Sequence, residues 1–255
     1  MTEAPRPVAS PGGDKSEADA VGRAGNPVAE TSVTSMFDSI APVYDRMNTV
    51  MTAGLDGRWR KAALKATRLT AGGAALDVAC GTGKLAAALA SVAGPEGRVV
   101  GVDLSPAMID EARRIFGDLS GVEFKVGNAL SLPVNDGTFD AATIAFGMRN
   151  LSSYEDGFRE MARAVRSGGR VVCLELSVPR PRFMGRVYQA LFRVSAPFMG
   201  AIFRRRAAYA YLPHSLEGFP AAEEIAVIMR RAGLQEVSFK RLALGAVALH
   251  VGTVA

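Results

Sequence analysis

Along this chain the apolar positions change period from one segment to the next. Met36, Ile40, Val43 and Met47 recur at three- and four-residue spacing with Phe37 and Tyr44 beside them, and a turn-rich piece leads on to Trp59, Ala63 and Leu64. That spacing predicts helices between Met36 and Arg68. From Ala74 onward, short apolar runs alternate with amphipathic ones. AALDVA (74–79), RVVGVD (98–103), VEFKVG (122–127), FDAATIAF (139–146) and GRVVCLEL (169–176) have the length and composition of strands. Between them KLAAALASV (84–92), PAMIDEARRIF (106–116) and a stretch near YEDGFREMARAV (154–165) have those of helices. Ser105 and Pro106 mark the start of one helix, and Ser167-Gly168-Gly169 the end of another. AAEEIAVIMRRAG (221–233) reads as a helix closed by Gly233, and QEVSFKRL (235–242) and GAVALHVGTV (245–254) as two strands close enough to pair antiparallel at one edge. The expected fold is therefore α/β, with a doubly wound, mainly parallel seven-stranded sheet and an antiparallel edge strand.

Composition narrows the setting. The chain has 255 residues, 49% of them apolar, enough to bury the core of one large α/β domain. Cys80 and Cys173 lie far apart, and His214 and His250 do not cluster with them, which predicts neither a disulfide framework nor a metal site and suits a reducing cytoplasm. Residues 1–31 carry Pro, Gly, Ala and mixed charge without an apolar run, and are expected to be a disordered tail ahead of a domain spanning 32–255. No window approaches the roughly 18 uninterrupted apolar residues of a membrane span. The net charge of +5 is unevenly placed: from Leu176 to Leu216 there are seven arginines and no acidic residue, so the rest of the chain carries +5 minus 7, or −2.

The strongest local signal is DVACGTGKLA (77–86). Gly81 and Gly83 stand at a strand-to-helix turn, where missing side chains let backbone approach a ligand and a helix N-terminus offers free N–H groups. The spacing also satisfies the dinucleotide pattern G-x-G-x-x-G/A, a weak match alone. Asp77 just before the loop disfavours a pyrophosphate, since two like charges a few ångströms apart cost roughly 1 to 4 kcal/mol. A ligand carrying an ammonium, such as S-adenosylmethionine, reverses that sign. Asp103, at the end of the next strand, is placed to accept both hydroxyls of a ribose, and Asn128 and Ala129 after the third strand to read an adenine edge. This pattern resembles the class I S-adenosylmethionine-dependent methyltransferases, whose Rossmann-like fold the predicted elements match.

A closer resemblance rests on five motifs in order: MFDSIAPVYDRMN near residue 36, DVACGTGKLA, TIAFGMRN (143–150), AYAYLPHSLEGFP and GAVALHVGT. Together they are similar to the demethylmenaquinone and 2-polyprenyl-methoxybenzoquinol C-methyltransferase family, from about Met36 to the C-terminus. The resemblance implies cofactor contacts at Thr82, Asp103, Asn128 and Ala129, with Asp77, Gly81 and Gly83 completing the loop. It also implies substrate activation by Arg149 and Asn150, and lid helices over 32–70 that contribute Tyr44. Ala145 stands where some members carry serine, and Arg205 and Arg206 where an acidic residue is usual. Because ligands sit beyond the carboxyl ends of parallel strands, Arg149 and Asn150 are expected to face the methyl group, Arg149 steadying a phenolate-like oxyanion and Asn150 orienting it or a water, the alternative for Arg149 being a structural cap paired with a nearby Asp or Glu. Tyr44, His214 and water are all open as the base that removes the ring proton.

The implied reaction is C-methylation of a reduced polyprenyl quinone, demethylmenaquinol to menaquinol, with the methoxybenzoquinol of ubiquinone synthesis as the alternative. The arginine-rich insertion, 178–216, interleaves Tyr188, Phe192, Phe198 and Phe203 with arginines, which suits the roof of a lipophilic pocket and peripheral contact with anionic lipid. For membrane contact an ordinary surface helix pair with snorkelling arginines fits equally well, whereas the four aromatics exceed what a short cap requires and favour the pocket. A nucleic-acid methyltransferase fits less well, because phosphate contacts favour exposed Lys and Arg stripes. An NAD-dependent oxidoreductase shares the fold class and stays open, to be decided by titration with the two cofactors. A homodimer is compatible with this reading, and His250, inside an apolar strand, is expected to be structural.

Overall fold

A computed structural model describes residue 25, residues 30–177 and residues 218–255. The expected insertion over 178–216, with His214, lies outside the described residues, as does most of the expected tail. The tail's last two residues differ from expectation: Glu30 and Thr31 already belong to α1 (Glu30–Ile40), where Thr34 Oγ1 donates to the Glu30 carbonyl at 2.8 Å. Pro42 lies in a single 3-10 turn, Ala41–Val43, which breaks the N-terminal segment before α2 (Tyr44–Met51) and α3 (Asp56–Thr67).

The described residues form seven strands in one sheet: β1 (Ala74–Val78), β2 (Arg98–Asp103), β3 (Val122–Val126), β4 (Phe139–Ala145), β5 (Val165–Leu176), β6 (Gln235–Leu242) and β7 (Val247–Thr253). Their order across the sheet is 3-2-1-4-5-7-6, parallel from β3 to β5, with β7 antiparallel to both β5 and β6. Helices α4 (Lys84–Ala93) and α5 (Pro106–Phe116) connect the first three strands, α6 (Tyr154–Ala164) joins β4 to β5, and α7 (Ala222–Arg231) precedes β6. The order reverses direction between β1 and β4, so the loops after β1, β2 and β4 diverge over a crevice.

Both faces of the sheet are covered, and period-two alternation decides which residue goes where. On β1, Leu76 joins the core beneath α6 and α7 while Ala75 joins the one beneath α4 and α5; on β2, Val100 and Val99 divide the same way. Cys173 faces α7, and its neighbours Val172 and Leu174 pack on Ala63 and Trp59 of α3. His250, opposite Cys173 in the β5–β7 register, is buried with Nε2 2.9 Å from the Ala222 carbonyl, which accords with a structural role.

The caps agree with the sequence at one helix and differ at another. Ser105 Oγ accepts from Met108 N at 3.1 Å with Pro106 in the first turn, as expected. Helix α6, however, ends at Ala164 rather than at Ser167-Gly168-Gly169, because Val165 is already extended and pairs with Phe139. The register then shifts so that Arg170 meets Ala141, and Gly168 takes the left-handed conformation (φ 76°) within this irregular stretch. Among the described residues no helix is long and apolar enough to cross a membrane.

Candidate active site

The strand ends over the crevice are sharply bent. Ala79 after β1 and Phe146 after β4 both hold positive φ, 51° and 62°, a conformation that costs non-glycine residues on the order of 1 to 3 kcal/mol. Between them Gly147 leaves no room for a side chain, since a Cβ there would lie 2.5 Å from that of Ala79. Gly81 (φ 53°) donates its N–H to Asp103 Oδ2 at 2.8 Å, and Asp103 Oδ1 accepts from Ser105 N at 2.9 Å. The carboxylate of Asp103 thus ties the loop after β1 to the loop after β2.

These loops surround a cleft that opens to solvent. Gly81 and Asp103 line it from the first two strands, Asn128 and Ala129 from the loop after β3, and Phe146, Gly147 and Asn150 from the end of β4. Glu30, Phe37 and Tyr44 of the N-terminal helices form its cover, with the Phe37 and Tyr44 rings edge to face at 6.0 Å. Burial raises the Asp103 carboxyl above its ordinary value, while the N–H groups of Ser105 and Gly81 oppose that shift. Of the residues expected from sequence, Tyr44, Gly81, Asp103, Asn128, Ala129 and Asn150 meet in this one cleft.

The cover is held by three carboxylates, each on a different part of the rim. Asp45 Oδ1 accepts from Thr82 Oγ1 at 2.8 Å and lies 3.3 Å from Lys84 Nζ, on the glycine loop. Asp38 Oδ1 accepts from Ser105 Oγ at 2.5 Å and from Ala107 N at 3.3 Å, after β2. Glu30 accepts from Asn128 Nδ2 at 3.2 Å and from Ser152 Oγ at 2.8 Å, beyond β3 and β4. The motif MFDSIAPVYDRMN contains two of these acids, but nothing in its periodicity says that they bond to the rim.

Four expected residues lie elsewhere. Thr82 commits its hydroxyl to Asp45 and lines a second, smaller cavity behind the glycine loop instead of the main cleft. Gly83 N-caps α4 with φ 83°, and a Cβ there would meet the Phe124 ring at 2.8 Å, so its missing side chain serves helix–sheet packing. Asp77 is 1% exposed, one layer below the rim: Thr143 Oγ1 donates to its Oδ1 at 2.7 Å, Oδ2 has no hydrogen-bond partner among the described residues, and burial lifts its carboxyl to about 7. It faces the smaller cavity with Tyr44, Arg60 and Lys84.

Arg149 departs most from expectation. Its Nη1 donates to Glu175 Oε1 and to the Phe146 carbonyl, both at 2.6 Å, and its backbone N–H donates to Glu175 Oε2 at 3.2 Å. The side chain is 6% exposed and lines neither the main cleft nor the smaller cavity behind the glycine loop. Glu175, at the end of β5 and 1% exposed, also accepts from Leu176 N at 2.8 Å. Sequence reasoning missed Glu175, although a lone acid inside the apolar run VVCLEL was the available signal.

Burial and the nearby carboxylates Asp103 and Asp77 push the thiol of Cys80, in the glycine loop, well above its ordinary value. Among the described residues no cluster of His, Cys, Asp or Glu could hold a metal ion.

Comparison with known proteins agrees with this geometry. A model of the ubiE/COQ5 methyltransferase family matches residues 26–254. The demethylmenaquinone methyltransferase of Thermus thermophilus is 42% identical over 220 residues, covering 85% of this chain and 99% of that protein. The ubiquinone/menaquinone biosynthesis C-methyltransferase UbiE of Geobacter sulfurreducens is 37% identical over 223 residues, covering 86% and 87%. Among solved structures, a SAM-dependent methyltransferase from Aquifex aeolicus superposes with a TM-score of 0.55 at 18% identity, over 77% of this chain and 89% of that one, a likeness of fold.

Proposed function

The chain belongs to the ubiE/COQ5 methyltransferase family, and from that premise we propose that it transfers a methyl group from S-adenosylmethionine to a ring carbon of a reduced polyprenyl quinone, with demethylmenaquinol as substrate. The observation that carries this reading is the convergence of Gly81, Asp103, Asn128, Ala129 and Asn150 on one cleft at the carboxyl ends of the parallel strands, under a cover that includes Tyr44.

The donor set fits the cofactor. A carboxylate offers about four acceptor sites, and Asp103 commits two to backbone N–H groups, which leaves two for the hydroxyls of a ribose. Beyond Asp103, Asn128 and Ala129 border the place for the base. In the other direction Gly81 opens the way to the amino-acid end, and the unpartnered Oδ2 of buried Asp77 lies behind the loop. A neighbouring ammonium would favour ionisation of Asp77, whose carboxyl burial raises to about 7 against the lowering effect of Thr143 and Arg60. A pyrophosphate would instead meet a carboxylate of its own sign there.

The cofactor supplies an electrophilic methyl group; the chain supplies position and polarity. Phe146 and Tyr44 present aromatic walls for a quinol ring, and Asn150 is the polar side chain on the β4 side able to orient its oxygen. Arg149, expected to touch the substrate, is here a positioning residue: by binding the Phe146 carbonyl and Glu175 it fixes the turn that carries Phe146 and Asn150 into the cleft. Closure of the cover by Asp45, Asp38 and Glu30 excludes water from the transfer.

Incubation with S-adenosylmethionine and reduced demethylmenaquinone, followed by mass detection, should show one added methyl on the ring. A chain that binds the cofactor but leaves the quinol unchanged would overturn the substrate. The methoxybenzoquinol counterpart is the second substrate to assay, because the Geobacter relative is named for both pathways.

A further inference from the structure

We infer that Arg60, in α3, is a positioning residue for the quinol: its guanidinium holds and polarises the Phe146 ring that walls the cleft. This rests on the quinol-methylation reading above. The inference starts from a backbone conformation that Phe146 has no local reason to adopt. It follows β4 with φ 62°, in the left-handed region that a side chain disfavours. Such a conformation persists only where the surroundings over-determine it. Here the backbone is fixed on both sides, since the Phe146 N–H donates to the Leu174 carbonyl at 2.8 Å and the Phe146 carbonyl accepts from Arg149 Nη1.

The ring is fixed separately, from α3. That of Trp59 lies 6.2 Å away at 58°, and the Arg60 guanidinium carbon sits over the Phe146 ring, 5.4 Å from its centroid. Arg60 is itself anchored, for Nη1 donates to Asp56 Oδ2 at 2.8 Å, and Asp56, 6% exposed, also accepts from Thr52 Oγ1 at 3.2 Å. Phe146 lines the main cleft and not the smaller cavity, whereas Arg60 lines the smaller cavity and not the main cleft. The ring therefore stands between the guanidinium and the cleft. A cation against an aromatic face draws π density toward itself, so the side turned to the cleft is the poorer in electrons. Such a wall favours an electron-rich ring, as a reduced quinol is, over a sulfonium.

A guanidinium that merely packed α3 onto the sheet would stabilise the fold and leave substrate kinetics alone. Three variants of the full chain separate the two roles. Arg60→Met keeps an unbranched side chain and removes the charge, Arg60→Met/Asp56→Asn also avoids leaving a buried carboxylate unpaired, and Arg60→Lys retains a cation. With reduced demethylmenaquinone at saturating S-adenosylmethionine, the first two should raise KM for the quinol about tenfold and keep kcat within about threefold, the pattern of ring binding lost equally from ground and transition states. Arg60→Lys should return KM to within about threefold of the parent. S-adenosylhomocysteine affinity by calorimetry should move less than about threefold in all three. The emission wavelength of Trp59, the only tryptophan in the chain, should stay parental, which shows the fold intact. If KM for the quinol is unchanged in both charge-removing variants, Arg60 only packs and the inference fails. If cofactor affinity falls while KM holds, the guanidinium serves the cofactor through the cavity it shares with Asp77, and the inference fails as well. A parent that binds S-adenosylhomocysteine and leaves the quinol unmethylated overturns the substrate reading, and this assignment with it.

Discussion

Glu175→Gln tests the buried pair behind the active-site turn. Glu175 and Arg149 have side chains 1% and 6% exposed, and the carboxylate accepts from the Arg149 guanidinium, the Arg149 backbone and Leu176 N. Removing one partner of such a pair costs about 3 to 5 kcal/mol, because the remaining charge stays desolvated. For a domain of this size each kcal/mol shifts the melting midpoint by about 2 to 4 °C, so the variant should melt roughly 6 to 20 °C below the parent by circular dichroism. Arg149→Met/Glu175→Leu removes both charges and should recover most of that loss. Turnover in the double variant should nonetheless stay about 100-fold down, about 2.7 kcal/mol, because Phe146 and Asn150 lose the anchor that aims them. S-adenosylhomocysteine affinity should change by less than about threefold, since neither residue lines the cleft. A Glu175→Gln midpoint within about 2 °C of the parent would refute the energetic reasoning, and a double variant with parental turnover would refute the positioning role.

Asp103→Ala removes the proposed ribose acceptor and the tie between Gly81 and Ser105; calorimetry should show S-adenosylhomocysteine affinity reduced by about 100-fold or more, and unchanged affinity would dismiss the ribose assignment. Thr82→Val deletes the bond to Asp45 and should cost about 1 kcal/mol in urea unfolding with cofactor affinity nearly intact; a tenfold loss of affinity would instead restore the hydroxyl as a ligand. For Asp77 the folded carboxyl titrates at about 7, above its ordinary 3.8, so its contribution is fully present below the lower value and is lost as pH rises toward the upper one. The stability of the parent relative to Asp77→Asn should therefore fall by about 1.4 kcal/mol per pH unit between pH 4 and 7, and a constant difference in urea midpoints over that range would contradict the burial argument.

Much of the fold is visible in the spacing of apolar residues, because a strand buried on both faces and a helix buried on one leave different periods in the chain. The seven strands, the cap at Ser105 and the closure of α7 by Gly233 all followed from that. The end of α6 did not: Val165 leaves the helix to pair with Phe139, a contact 26 residues away that no local propensity encodes.

The residues of the site divide the same way. Asp103, Asn128, Ala129 and Asn150 follow strand ends, and in a parallel sheet a strand end is an address that the sequence by itself supplies. Whether a side chain at that address faces the ligand depends on its partners, and these come from remote segments. Glu175 turns Arg149 inward, Asp45 claims Thr82, and Thr143 holds Asp77 under the rim. Glu30 reaches the cleft across 98 positions of sequence. Periodicity records burial, which is a property of one residue and its face; a hydrogen bond or ion pair needs two groups at one distance and one angle, and only the folded chain brings them there.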